Sequence, residues 1–171
     1  MYETILVPTD GSAGAEAALG EAVSLAGTFD ATVHSLYVAD TSAAQPETGY
    51  VDIVESFERI GEETTAEAVE DAERAGVEAV GAVRVGLPHR TILDYAEEVD
   101  ADLIVMGTHG RTGLERYLLG SVTEKVVRTA DAPVLTVRLS DEDEGGDEAG
   151  EENEDEATDD SAGTAAGTEE N

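Results

Sequence analysis

The chain of 171 residues contains no cysteine. That excludes disulfides, thiolate zinc sites and a cysteine nucleophile, and it fits a cytoplasmic location. No run of 18 apolar residues occurs, so no membrane partner is expected. The start, MYETILVPTD, lacks the basic and long apolar regions of a signal peptide. Lysine is scarce: Lys125 alone stands among nine basic residues, against 40 Asp and Glu, for a formal charge of −31. A chain this acidic has no basic face large enough to neutralise several phosphates, which argues against nucleic acid as a partner.

The charge is unevenly placed. Residues 140–171 hold 15 of the acids, no Lys or Arg, and no Ile, Leu, Val, Met, Phe or Tyr. Such a segment cannot bury enough apolar surface to offset its ordering entropy, so a disordered acidic tail is predicted there. Residues 1–139 then form the one domain that this length allows, with 25 acids against nine bases, a balance of −16. An acidic, lysine-poor surface with mostly small apolar residues resembles adaptation to a high-salt cytoplasm, a halophile-like source. Molar salt shortens the Debye length to about 3 Å and screens the self-repulsion.

Strand-like and helix-like stretches alternate along the domain. A short apolar strand, Thr4 to Val7, is stopped by Pro8, and an alanine-rich helix follows from about Ser12. Thr32 to Val38 is a second strand. Ile53, Phe57, Ile60 and Thr64 then recur at helical steps. GVEAVGAVRV reads as a third strand, and Pro88 marks the next helix start. ADLIVMG is a fourth strand, SVTEKVVRTA a helix and PVLTVRL a last strand. This β-α alternation predicts an α/β fold: an open parallel sheet with helices on both faces. Ligands of such sheets bind beyond the carboxyl ends of the strands, here PTDG, ADT and GTHG.

Familiar catalytic motifs are missing. There is no P-loop G-x-x-x-x-G-K-[ST], no G-x-G-x-x-G after the first strand, and no G-x-S-x-G elbow. No catalytic residue is therefore assigned. His34, His89 and His109 show no ligand spacing, and only His109, inside a glycine loop, sits near a candidate site. Two features remain. Gly107, Gly110, Gly120 and Ser121 connect the end of a strand to the start of a helix, whose N–H groups and partial positive charge suit phosphate. Arg111, Arg116, Lys125 and Arg128 cluster around them. Ser121 and Glu124 equally fit a capping box that satisfies the helix end on its own. Asp10, after the first strand, is either a ligand contact or, with Ser12, a turn and helix cap.

ILVPTDGS, followed by ADLIVMGTHGRTGLERYLLGSVTEKVVRTADAPVLTV, resembles the universal stress protein family over residues 2–139. The spacing G-x2-G-x9-G-[ST], met at Gly107, Gly110, Gly120 and Ser121, resembles its ATP-binding branch. The resemblance implies a five-stranded sheet of order 3-2-1-4-5, of the adenine nucleotide alpha hydrolase-like type. It implies that Pro8, Thr9 and Asp10 line the nucleotide, that the backbone at Val38 meets the adenine, and that Met106 and Gly107 lie under the ribose. Gly110 would open the phosphate loop, and Gly120, Ser121, Val122 and Thr123 would hold the phosphates. It further implies ATP, with Mg2+ or Mn2+ near Asp10, a homodimer through Pro133 to Arg138, and an unidentified protein partner in a stress response. Any hydrolysis would be slow. Some members bind no nucleotide, so a dimeric scaffold is the alternative, and the wider superfamily includes ATP-consuming synthetases.

Overall fold

The computed structural model describes residues 1–40, 50–108 and 119–139, with the backbone alone at 50–53. The acidic tail expected over 140–171 lies outside the described residues. In chain order the elements are β1 (Thr4–Thr9), α1 (Ala13–Phe29), β2 (Thr32–Asp40), α2 (Tyr50–Arg74), β3 (Ala79–Gly86), α3 (Pro88–Glu98), β4 (Leu103–Gly107), α4 (Ser121–Thr129) and β5 (Val134–Val137). The strands form one sheet of order β3-β2-β1-β4-β5. Every neighbouring pair is parallel, as the alternation of elements requires.

Successive strand residues face opposite sides, so a sheet covered by helices on both faces needs apolar side chains at every central position. Ile5, Val7, Val33, Leu103 and Val105 pack on one face against Ala18, Ala22 and Ala26 of α1 and Ala72 of α2. Leu6, Leu36, Ile104 and Met106 pack on the other against Ile92, Tyr95 and Ala96 of α3 and Val126 of α4. His34 belongs to the second layer, where its Nδ1 lies 3.1 Å from the Tyr95 hydroxyl. Burial lowers its pKa from the ordinary value.

Several boundaries differ from the sequence expectation. Pro8 does not stop β1, which runs on to Thr9 and pairs Pro8 with Leu36 of β2. Pairing with β4 covers only Ile5 and Leu6, so the ladder on that side has ended before the residue that lacks an N–H. β2 continues two residues further, to Asp40, and β5 shortens to Val134–Val137. On α2 the fully packed line is Gly61, Thr65, Ala68 and Ala72, beside the expected face of Phe57, Ile60 and Thr64, which is half-buried. A Cβ at Gly61 would come within 2.6 Å of the Tyr37 ring, so a glycine there lets the helix approach β2.

One carboxylate ties the amino edge of the sheet together. Asp102 accepts the backbone N–H groups of Glu3 at 2.7 Å and Thr4 at 3.0 Å, joining the start of β1 to the start of β4. These hydrogen bonds hold its pKa below the ordinary 3.8. A lowered carboxylate pKa contributes stability that is complete above the ordinary value and disappears as pH falls through the lower, folded-state value. Asp102→Ala should cost about 1 kcal/mol at pH 7, a modest figure because the group is partly exposed. Denaturant unfolding at pH 7 and again below pH 3.8 tests this, and the difference from the native chain should shrink at the lower pH.

Candidate functional site

β1 is flanked by β2 and β4, and the chain winds outward from it in both directions. The crevice of such a sheet opens where β1 and β4 end. Ten of the eleven residues assigned from the sequence line one cavity of about 400 Å³ at that edge: Pro8, Thr9, Asp10, Val38, Met106, Gly107, Gly120, Ser121, Val122 and Thr123. Gly110, the eleventh, lies outside the described residues, as do His109, Arg111 and Arg116.

The turn after β1 is built from its own side chains. Thr9 Oγ1 accepts the Gly11 N–H at 3.1 Å, with Gly11 at φ 74°. Asp10 Oδ1 accepts both the N–H of Ser12, at 3.1 Å, and its hydroxyl, at 2.5 Å. Ser12 is the N-cap of α1 and accepts from the Ala15 N–H at 3.3 Å. The two readings of this stretch are thus compatible. Ser12 caps the helix, while Asp10 braces the cap and also lines the cavity.

The start of α4 overturns the capping box. Gly120 is the N-cap and Ser121 is already helical, one residue out of the register that the box needs. The Glu124 N–H donates to the Gly120 carbonyl at 2.8 Å, and its carboxylate bridges Arg128 at 3.0 Å on the exposed helix surface. No side chain caps this helix among the described residues. Its first N–H groups, at Ser121, Val122 and Thr123, lie at the cavity wall. The Thr123 hydroxyl donates to the Gly107 carbonyl at 3.0 Å, and the Gly120 N–H to the Thr108 carbonyl at 2.8 Å. Both bonds lock the helix start to the end of β4.

The basic cluster is only partly arranged as the sequence suggested. Arg128 sits in the last turn of α4, about 10 Å along the helix from its start, and pairs with Glu124. Neither it nor Lys125 lines the cavity. The polarity at the wall therefore comes from the start of α4 and from Thr9, Asp10 and Asp40 rather than from these cations.

Seven further residues complete the lining: Ala15, Leu36, Tyr37, Asp40, Phe57, Pro88 and Ile92. Asp40 and Pro88 had a signal in the sequence, since one ends the second strand and the other opens the helix after the third. Tyr37, Phe57 and Ile92 had none, because they come from three elements that only tertiary packing brings together. The result is a cavity with an apolar side, made by Leu36, Tyr37, Phe57, Ile92 and Met106, and a polar side at the ends of β1 and β4. It can take a ligand with a flat apolar part and an anionic end. A cavity of about 460 Å³ lies at the C-terminal ends of α3 and α4, where the helix dipoles are negative. Four carboxylates, Asp94, Glu97, Asp100 and Asp131, line it against the two, Asp10 and Asp40, of the first cavity, so it suits an anion less.

The glycine at the end of β4 has a second purpose. A Cβ on Gly107 would lie 2.6 Å from the carbonyl oxygen and 2.7 Å from the carbonyl carbon of Gly14 in α1. Close packing of α1 on β4 demands glycine here whatever the cavity holds. No group of three or more metal-ligating side chains occurs among the described residues. None of the described helices is long and apolar enough to cross a membrane.

Comparison with known proteins bears on the family and the fold. Residues 1–138 match the model of the universal stress protein family. Universal stress protein MJ0531 of Methanocaldococcus jannaschii is 41% identical over 141 residues, covering 81% of this chain and 83% of its own. The solved structure of MJ0577, from the same organism, superposes with a TM-score of 0.75 at 33% identity, covering 82% of this chain and 98% of that one. A universal stress protein of Archaeoglobus fulgidus, solved in complex with dAMP, gives a TM-score of 0.59 at 29% identity, covering 79% and 97%. The chain belongs to the universal stress protein family.

Proposed function

We propose that this chain is an ATP-binding universal stress protein, a dimeric nucleotide-dependent regulator with at most slow ATP hydrolysis. The observation that carries the reading is the start of α4, a helix of nine residues with no side-chain cap among the described residues, opening onto a cavity whose other side is apolar. Adenine fits the apolar side, and the phosphates fit the N–H groups of Ser121, Val122 and Thr123. The dAMP complex of the Archaeoglobus fulgidus relative supports the same ligand class.

Asp10 is the nearest candidate to offer a hard oxygen donor to Mg2+ or Mn2+ held chiefly by the nucleotide. No side chain is assigned to orient an attacking water, so any hydrolysis is expected to be slow. Nucleotide loading would change a surface that a partner reads. β5 is the edge strand next to β4 and keeps Leu135 exposed, which suits pairing with a second copy through Pro133 to Arg138. The acidic, lysine-poor surface suits a cytoplasm of high salt.

Replacing Gly110 with valine tests the reading, because a β-branched side chain would obstruct the expected phosphate loop. Titration with ATP and Mg2+ in molar potassium chloride should show one site per native chain and loss of most affinity in the variant. A native chain that takes up no ATP would leave the nucleotide-free scaffold.

A further inference from the structure

We infer a second binding site, for a short aliphatic amine with a hydroxyl at its far end, in the groove between α1 and α2. The inference starts from Ser35. Three polar side chains are buried among the described residues, Ser35, Thr65 and Thr123. Thr65 donates to the Gly61 carbonyl at 2.8 Å and Thr123 to the Gly107 carbonyl at 3.0 Å. Ser35 is 1% exposed, and its hydroxyl has no hydrogen-bond partner among the described residues. A buried hydroxyl without a partner costs folding free energy, and native chains keep few of them.

Ser35 lies in the middle of β2, in register with Val7 of β1 and Gly81 of β3. With Val7 it lines the floor of a cavity of about 360 Å³, which α1 and α2 wall on either side. From α1 come Glu16, Leu19, Gly20 and Val23, and from α2 Thr64, Glu67, Ala68 and Asp71. Each set recurs at steps of three or four, so each helix turns one face to the groove. The cavity adjoins the nucleotide cleft, sharing Thr9 and Ala15 with it. Gly20 adds an independent sign. A glycine inside a helix is less favourable than alanine, yet a Cβ here would meet nothing within 4 Å, so no packing demands it. The glycine keeps the groove open.

The lining sets the chemistry of the ligand. Leu19, Val23 and Ala68 suit methylene groups. Glu16 and Glu67 are exposed at the rim without ion-pair partners among the described residues, while Asp71 pairs with Arg74. A cation is attracted to that rim and an anion repelled. At the floor an ammonium would give up its water for a single hydroxyl, whereas a neutral hydroxyl exchanges one hydrogen bond with Ser35. The ligand is therefore cationic at the mouth and neutral but hydrogen-bonding at the floor. This site does not depend on the nucleotide reading.

The test titrates the isotope-labelled, full-length chain with three probes on one propyl stem. Propanolamine has both ends, propylamine lacks the hydroxyl, and propanediol lacks the charge. Amide chemical shifts locate each probe and give its affinity, at the lowest potassium chloride concentration that keeps every chain folded by circular dichroism. Propanolamine should perturb Ser35, Gly20 and Ala68 and bind about three- to tenfold more tightly than either other probe. Ser35→Ala should bind propanolamine no better than propylamine. Its melting temperature should not fall, because the deleted hydroxyl has no partner to lose. Gly20→Leu should stay folded and lose the probe, since its side chain fills the groove. If that variant unfolds, Ser35→Ala decides alone. Several results would overturn the site: no binding of propanolamine, shifts centred on the start of α4 or on the cavity of Asp94 and Asp131, or equal affinity for propanolamine and either other probe. A folded Gly20→Leu chain that binds as the native one does would also overturn it. So would a Ser35→Ala chain that keeps the preference, or one that melts lower, because the hydroxyl would then already be satisfied within the fold.

Discussion

Replacing Ser121 with glutamate is expected to reduce ATP affinity by about 30- to 100-fold, equivalent to about 2–3 kcal/mol, without loss of fold stability. Ser121 is exposed and occupies the first helical position of α4. An acid in the first turn interacts favourably with the helix dipole, by about 0.3–1 kcal/mol. Thermal unfolding should therefore stay level or move slightly upward. The same carboxylate would stand where the phosphates are expected and compete for the same N–H groups. Affinity and stability would then move in opposite directions, which a general packing defect cannot produce. Calorimetric titration in molar potassium chloride, paired with a melting curve, reads both. Unchanged ATP affinity would mean that the phosphates do not approach the start of α4.

Gly107→Ala should have the opposite pattern, with the damage falling on the fold. Its Cβ would lie within 2.7 Å of two backbone atoms of Gly14. Backbone atoms cannot swing aside as a flexible side chain can, so α1 would have to separate from β4. The cost is roughly 3 kcal/mol, on the order of 10 °C in melting temperature. Chemical denaturation should show the loss with or without ATP present. Lost nucleotide binding in this variant would report on packing, so Gly110 and Ser121 are the sharper probes of the ligand. A stability equal to that of the native chain would mean that the α1–β4 contact is looser than the structure has it.

The two glycines illustrate how far the sequence can be read. Gly107 fits a ligand-approach motif, and nothing in the motif reveals that its tightest neighbour is Gly14, 93 positions earlier. The sheet itself was legible, because Ile5–Val7 and Leu103–Met106 are apolar at every position and a parallel sheet needs that. Pro8 misleads because proline disfavours a ladder only where its N–H is needed, and the extent of pairing with β4 is a tertiary fact. The buried line of α2 is hidden for a similar reason. Gly61, Ala68 and Ala72 are too small to stand out in a hydrophobic pattern, yet they set how closely the helix lies on the sheet. The capping box fails by a single residue. Ser121 and Glu124 have the right spacing, but Gly120 holds the cap position and Glu124 turns to Arg128.

Nucleotide binding is tested most directly by extracting nucleotide from the full-length protein, purified throughout in molar potassium chloride. Chromatography of the extract against protein concentration gives the stoichiometry, and titration with ATP and Mg2+ fills any remaining sites. The expected result is ATP approaching one per chain after titration, with uptake largely lost when Ser121 becomes glutamate. A folded protein that yields no nucleotide and takes up none would contradict the nucleotide reading, and the uncapped start of α4 would then need another explanation.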